Sequence, residues 1–362
     1  MEVKFFKPTL PDWNKVEPDI KKMYESGMLY PGVYTLSLEE KMRNYLGTKY
    51  AVAVSNASDA LILLLSDFAP GSKIVIPSYT FSATYEAVEW NNLEAIVVDV
   101  DKYGYMDPLI LDECLSKYQD VKCVVPVMLW GNVTYVEEID EICRRHGVRI
   151  IYDGAHSISS LFDNKPIGGL GDAVAFSLAV TKPLPCGEAC IVSTNNDHLG
   201  KMVQSGIIHG SPYGSLGHDQ KGMNAKVGEI NSVLALHGMP EMDKTREDRE
   251  NLAEFYMNNL GDLPIRFQKI DSRCVTSRKD FGFWVESKKA RNKLKSYLES
   301  CGIGVKLYFC PPVHQYTYFN GIVFKVDMAE QLANTCINIP CYDLTLAERE
   351  YVVHTVRNFF KK

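Results

Sequence analysis

Between residues 50 and 195 the chain repeats one pattern: a short β-branched apolar run, then a polar turn, then a stretch of helical periodicity. The runs fall at 50–54, 73–76, 95–100, 121–128, 148–152, 173–176 and 189–192. Several are nearly continuous in apolar residues, as strands buried on both faces of a mainly parallel sheet must be. Between them, Val136, Ile139, Ile142 and Cys143 recur at helical spacing and would cover one face of such a sheet. The pattern predicts an α/β fold with a mainly parallel, seven-stranded sheet flanked by helices.

Past Gly238-Met239-Pro240 the pattern changes. A charged run, 241–256, carries Leu252, Phe255 and Tyr256 as an apolar stripe and reads as a long connecting helix. Strand-like 281–285, a helix near 288–301, strand-like 306–310 and a last helix after Asp343-Leu344-Thr345 predict a smaller α+β C-terminal domain. A chain of 362 residues exceeds what one core usually organises. The expected division is a large domain with an N-terminal arm at 1–240 and a small domain at 241–362.

Charge and composition narrow the function. With a net charge of -6 the chain has no basic footprint for nucleic acid or an anionic membrane. The charged N-terminus reads as neither a signal peptide nor a span. Ten cysteines are scattered from Cys114 to Cys341 without a C-x-x-C pair, which fits a reduced, cytoplasmic protein better than disulfides or metal. No phosphate-loop or dinucleotide glycine motif follows any strand. Small-molecule chemistry is the expectation.

Four segments place polar groups at strand ends, where ligands of open α/β sheets bind. In RIIYDGAHS, Asp153 either caps a following helix or holds a proton on a ring nitrogen, and His156 on its own reads as a structural histidine. In AVAFSLAVTKPLP, Lys182 follows Ser177 and stands beside Pro183 and Pro185, which deny it a helix; it is a solvated charge or a covalent anchor for an aldehyde. In VAVSNASDALILLL, the amides at a helix start around Ala57 and Ser58, with the Ser58 hydroxyl, form an anion pocket or merely a capped helix. Phe81, just past a strand, is core or a surface on which an aromatic ligand stacks. Taken together, a phosphate cradle, a stacking ring, a carboxylate and an amine describe one cofactor, pyridoxal 5'-phosphate (PLP).

At these residues the chain resembles the DegT/StrS-type sugar aminotransferases, of the aspartate aminotransferase-like, type I PLP-transferase fold. The similarity runs through SNASDAL, PSYTFSATYEAV, IVVDVD, VVPVMLWGN, IIYDGAHS, IGGLGDAVAFSLAVTK, GMNAKVGEINSVLAL and INIPCYDLT. The resemblance implies that Lys182 is the Schiff-base lysine, Asp153 the pyridinium partner, Ser177, Ala57 and Ser58 phosphate ligands, and Phe81 the stacking ring. It places His156 against the ring and its 3'-oxygen. Asn224 matches an asparagine that reaches the cofactor phosphate of a neighbouring subunit, so the implied unit is a homodimer with shared active sites. The implied reaction moves an amino group from L-glutamate to a nucleotide-linked keto sugar.

The chain also departs from the family pattern. Asn56 and Ala57 stand where Ser or Gly is common, Glu188-Ala189-Cys190 replaces E-G-G, and Lys226 replaces a common Arg. These changes, with the YFCPPVHQYTYF stretch and its His314, leave room for a smaller ketone such as a phosphorylated polyol or cyclitol. A PLP-fold regulatory protein without turnover is the reading from another class.

Overall fold

All seven runs predicted between residues 50 and 195 are strands of one sheet in the computed structural model, which describes residues 1–29, 31–211, 217–218 and 220–361. They are β1 (Tyr50–Val54), β2 (Lys73–Pro77), β3 (Glu94–Val98), β4 (Val121–Val124), β5 (Arg149–Asp153), β6 (Ala173–Ser177) and β7 (Cys190–Thr194). Their order is β1-β7-β6-β5-β4-β2-β3. Neighbours from β3 to β6 pair in parallel, and β7 lies antiparallel to both β1 and β6.

An eighth strand, absent from the sequence reading, closes the edge. Ile322–Val323 pairs in parallel with Ile96 and Val97 of β3. Two residues carry too little periodicity to announce themselves as a strand.

The strand interiors are mostly apolar because both faces are covered, Lys122 of β4 being an exposed exception. Val75, Ile96, Val124, Ile150 and Val174 point into one core, and Ile74, Ile76, Val97, Cys123, Ile151 and Ala175 into the other, following the two-residue period of a strand. Helix Val136–His146 buries Val136, Ile139, Ile142 and Cys143 in the first core, and helix Ala57–Leu65 buries Leu61, Leu63, Leu64 and Leu65 in the second.

Beyond residue 240, helix Met242–Leu260 follows as expected and buries Leu252 and Tyr256. These pack with Phe281, Phe283, Leu294, Leu298, Ile337, Val352 and Val356 into a separate core that also takes Val3 from the N-terminal arm. An antiparallel sheet of Arg266–Phe267, Phe281–Trp284 and Cys336–Ile339 lies in this part. The last helix, Leu346–Phe360, starts in a capping box between Thr345 and Glu348.

One predicted strand does not form. Lys306 makes a single bridge to Asn338, and the chain then turns away. Pro311 and Pro312 have no amide to continue a ladder, and Phe309 packs against Tyr79 and Phe81 instead of joining the small sheet. All ten cysteines are free, Cys123 and Cys143 among the buried ones. Among the described residues no helix is long and apolar enough to cross a membrane, and no cluster of His, Cys, Asp or Glu could hold a metal ion.

Candidate active site

The carboxyl ends of β5 and β6, the turn after β2 and the start of helix Ala57–Leu65 border one cleft of about 660 Å³. Seven of the residues singled out in the sequence line it: Ala57, Ser58, Phe81, Asp153, His156, Ser177 and Lys182. Asn224 does not. It is exposed, and its backbone bridges Ile208.

Asp153 is the last residue of β5 and only 5% exposed. No helix follows, which removes the capping alternative; instead its Oδ1 accepts from the Ala155 amide at 3.1 Å. Thr84, on helix Ser82–Trp90, donates its hydroxyl to Oδ2 at 2.7 Å. Burial pushes the Asp153 carboxyl up, while these two hydrogen bonds and the nearby Lys182 charge pull the other way. The site therefore holds a buried carboxylate with donors on both oxygens.

Lys182 sits in the loop between β6 and β7, half-buried. Its amide donates to Ala179 O at 2.8 Å, and Ser177 Oγ accepts from the Ala179 amide at 3.3 Å, so one tight turn at Ala179 links the Lys182 backbone to the Ser177 side chain. Pro183 and Pro185 follow, and no helix forms between β6 and β7. Burial, then the charge of Lys279, pulls the Lys182 ammonium down to about 7. A large fraction of free amine is then present at neutral pH.

The helix start at Ala57 has an anion-binding form. Asn56 caps it, its Oδ1 accepting from the Asp59 amide at 2.8 Å, and Asp59 in turn accepts from the Asn56 amide group and the Ser55 hydroxyl. The amides of Ala57 and Ser58 lie in the first turn, where no helical carbonyl reaches them. They and the Ser58 hydroxyl border the cleft.

The aromatic walls come from two places. Phe81 is 56% exposed, so its ring is not core; it stands 6.2 Å from the Phe309 ring. His156 stacks on Phe309 at 6.5 Å and 17°. The Trp130 amide donates to His156 Nδ1 at 3.2 Å, which assigns the ring proton to Nε2. Burial and the charges of Lys182 and Lys279 hold its pKa well below the usual histidine value, so the ring is neutral. Gly131, with φ of 92°, passes so close that a Cβ would overlap Ser277 Oγ and His156 O.

Several lining residues escaped the sequence reading. Tyr308 and Phe309 belong to the segment expected as a strand, and Lys279 comes from the C-terminal part. Thr84 had a usable signal, lying one helical turn after Phe81 in PSYTFSATYEAV. His314, of the unusual stretch that left room for a smaller acceptor, does not line the cleft: Nδ1 meets Ser78 Oγ at 2.5 Å and Nε2 meets Glu330 at 2.9 Å.

The model of the DegT/DnrJ/EryC1/StrS aminotransferase family matches residues 14–357. The chain belongs to this family. It is therefore an aminotransferase. A pleiotropic regulatory protein of Geobacillus stearothermophilus is 26% identical over 365 residues, covering 96% of each chain. The dTDP-3-amino-3,6-dideoxy-alpha-D-galactopyranose transaminase of Aneurinibacillus thermoaerophilus is 25% identical over 354 residues, covering 95% of each. The crystal structure of a DegT DnrJ EryC1 StrS aminotransferase from Brucella abortus is 27% identical, with a TM-score of 0.91 over 96% of each chain. The mainly parallel sheet, its covering helices and the cleft at its carboxyl edge are thus the aminotransferase fold of this family.

Proposed function

We propose that this protein is a PLP-dependent sugar aminotransferase that takes its amino group from L-glutamate and delivers it to a keto sugar linked to a nucleotide. One observation carries the reading: an amine with a pKa near 7, Lys182, shares a single cleft with a buried carboxylate, Asp153, and an open helix start. The cleft residues fit the cofactor. Its phosphate matches the amides of Ala57 and Ser58 and the hydroxyls of Ser58 and Ser177. Its ring nitrogen matches Asp153, a buried carboxylate otherwise without an ion-pair partner among the described residues, and its ring faces match Phe81 and His156.

PLP bound there supplies a carbonyl carbon that takes up an amine and a ring that accepts the electron pair released at the substrate carbon. The chain supplies the rest. Lys182 Nζ would hold the cofactor covalently and, when free, would serve as the base that takes up and returns a proton at Nζ. Asp153 would keep a proton on the ring nitrogen by charge, and Thr84 and Ala155 favour its ionised form against the upward push of burial by donating to it. His156, with its proton on Nε2, would offer a donor to the cofactor's ring oxygen. Tyr308 and Phe309 line the cleft with apolar surface.

Relatives with nucleotide-sugar names support the acceptor class: a UDP-2-acetamido-2-deoxy-3-oxo-D-glucuronate aminotransferase of Pseudomonas aeruginosa, a dTDP-sugar transaminase and a GDP-perosamine synthase. Asn224, exposed and outside the cleft of its own chain, is available to a second copy, and the active unit is a cytoplasmic homodimer with shared sites. A smaller ketone as acceptor loses the support of His314, which is held by Ser78 and Glu330.

The test is spectroscopic and then chemical. Protein mixed with PLP gains a visible absorption band that Lys182→Ala lacks, and L-glutamate bleaches that band in a single turnover. A colourless protein that takes up no PLP would sink the proposal; a bound cofactor that no amino acid bleaches would instead favour the regulatory reading. A panel of nucleotide-linked keto sugars, keto polyol phosphates and keto cyclitols then separates the acceptors.

A further inference from the structure

Lys279, Asp280 and Arg249 form a buried charge cluster behind the cleft, at 5%, 5% and 4% exposure. Lys279 lines the cleft itself. A smaller recess lined by Arg249, Lys279 and Asp280 adjoins it, sharing Val180 and Thr181 with the cleft wall.

The cluster holds two cations and one carboxylate. Lys279 Nζ donates to Asp280 Oδ2 at 2.6 Å, its only hydrogen bond among the described residues, and its charge stands 5.6 Å from the Tyr308 ring centroid. Arg249 has no ion pair among the described residues. It reaches the Lys279 carbonyl only at 3.5 Å, and its Nε is buried without an acceptor. The negative charge it feels from an aspartate is that of Asp280. Asp280 thus pairs directly with Lys279 and feels the Arg249 charge, so the three groups carry one net positive charge in a region that solvates it poorly. A Lys ammonium has three donors, and one is used. The Lys279 charge reaches into the cleft, being felt at both Lys182 and His156.

We propose that Lys279 is the residue that recognises a substrate carboxylate in this cleft, with Arg249 balancing Asp280 from behind so that the Lys279 charge remains available to the ligand. Arg249, Asp280, Lys279 and the incoming carboxylate then alternate in sign. Glu188, an exposed carboxylate, also lines the cleft and disfavours a carboxylate beside itself. The identity of the ligand as a substrate rests on the aminotransferase reading. Two substrates could bring a carboxylate here, the amino-acid donor or a keto sugar that carries an acid group.

Binding of glutarate, a dicarboxylate that cannot react, is measured by titration calorimetry on the purified protein with and without PLP. The double variant Lys279→Met/Asp280→Asn removes the pair together, so that no aspartate charge is left buried alone; Lys279→Arg is the conservative control. Glutarate binding is expected to weaken on the order of 10- to 100-fold in the double variant and to be largely retained in Lys279→Arg. In single-turnover bleaching, the half-saturating concentration of L-glutamate rises by the same factor with little change in limiting rate, and 4-aminobutyrate, lacking the α-carboxylate, shows which of the two donor carboxylates is met. If glutamate saturation is unchanged and saturation by an acid keto sugar weakens instead, the carboxylate is the acceptor's. Equal glutarate binding and equal saturation by all of these in wild type and double variant overturn the proposal. Failure of the wild type to take up PLP strikes the transaminase reading alone, because the glutarate titration without cofactor still reports on Lys279.

Discussion

Thr84 Oγ1 donates a 2.7 Å hydrogen bond to Asp153 Oδ2, joining the first turn of one helix to the end of a central strand. The Thr84 hydroxyl also meets Thr80 Oγ1 at 2.8 Å, so the donor is itself held in place. Asp153 is buried, and each donor it loses leaves a larger desolvation penalty on its charged form. Thr84→Val raises the Asp153 pKa further, so that the carboxylate protonates at higher pH than in the wild type. The glutamate half-reaction should slow about tenfold, as loss of one hydrogen bond to a charged group predicts, with the loss greater at acidic pH. Thr84→Ser should behave as wild type. Stopped-flow bleaching of the cofactor band across pH 5.5 to 8.5 checks this, and equal profiles for Thr84→Val and wild type would remove the role.

The lowered pKa of Lys182 sets the pH dependence of cofactor capture. Below about 7 the amine is protonated and cannot attack an aldehyde; above it the amine is free. The rate of PLP uptake by cofactor-free protein should therefore rise with pH through about 7 and level off by about pH 8. Lys279→Met moves the midpoint upward, because a neighbouring cation is removed and Asp280 is left to favour the protonated lysine. The same group makes a stability prediction. Its folded pKa lies below its unfolded value, so between about 7 and 10.5 the unfolded chain binds more protons and stability rises with pH. Cofactor-free Lys182→Met should melt above wild type at pH 7, with the gap closing toward pH 10.

Phe81 separates a binding role from a packing role. At 56% exposure its ring contributes little to the core. Phe81→Ala should leave the thermal midpoint within about 1 °C, since exposed substitutions cost within about 0.5 kcal/mol, while PLP affinity falls about 3- to 10-fold through loss of a stacking surface. Equilibrium dialysis of PLP and a thermal melt give both numbers. A large drop in midpoint with unchanged affinity would assign Phe81 to packing.

Glu229 is structural and has a sharper stability signature. Its carboxylate, 1% exposed, accepts from the amides of Gly32, Tyr34 and Thr35 at 2.9 Å and from Thr35 Oγ1 at 2.6 Å. It caps helix Val33–Leu46 from a helix nearly two hundred positions away in the chain, in place of a side-chain cap at Gly32. Glu229→Ala orphans these donors and should cost about 3 kcal/mol, read as a clear fall in thermal midpoint. An unchanged midpoint would show that water replaces the carboxylate without penalty.

Much of this protein is determined within short windows of its sequence. The seven runs from 50 to 195 declare strands because side-chain direction alternates with a two-residue period and both faces of the sheet are buried, and Val136, Ile139, Ile142 and Cys143 declare a helix by the same local logic. Asp153, Ser177, Lys182, Ala57 and Ser58 were legible because a strand end followed by a polar turn puts its side chains at the carboxyl edge of a parallel sheet. Tertiary structure decided what local pattern left open. It settled that Asp153 begins no helix, that Phe81 faces the cleft, and that 306–310 leaves the small sheet and lays Tyr308 and Phe309 over the site. It brought Thr84 to Asp153, Ile322–Val323 to β3, and Lys279 to the wall beside Lys182. None of these has a periodicity of its own. Each depends on how segments far apart in the chain pack, and the desolvation that shifts Asp153, His156 and Lys182 exists only once that packing has removed the water.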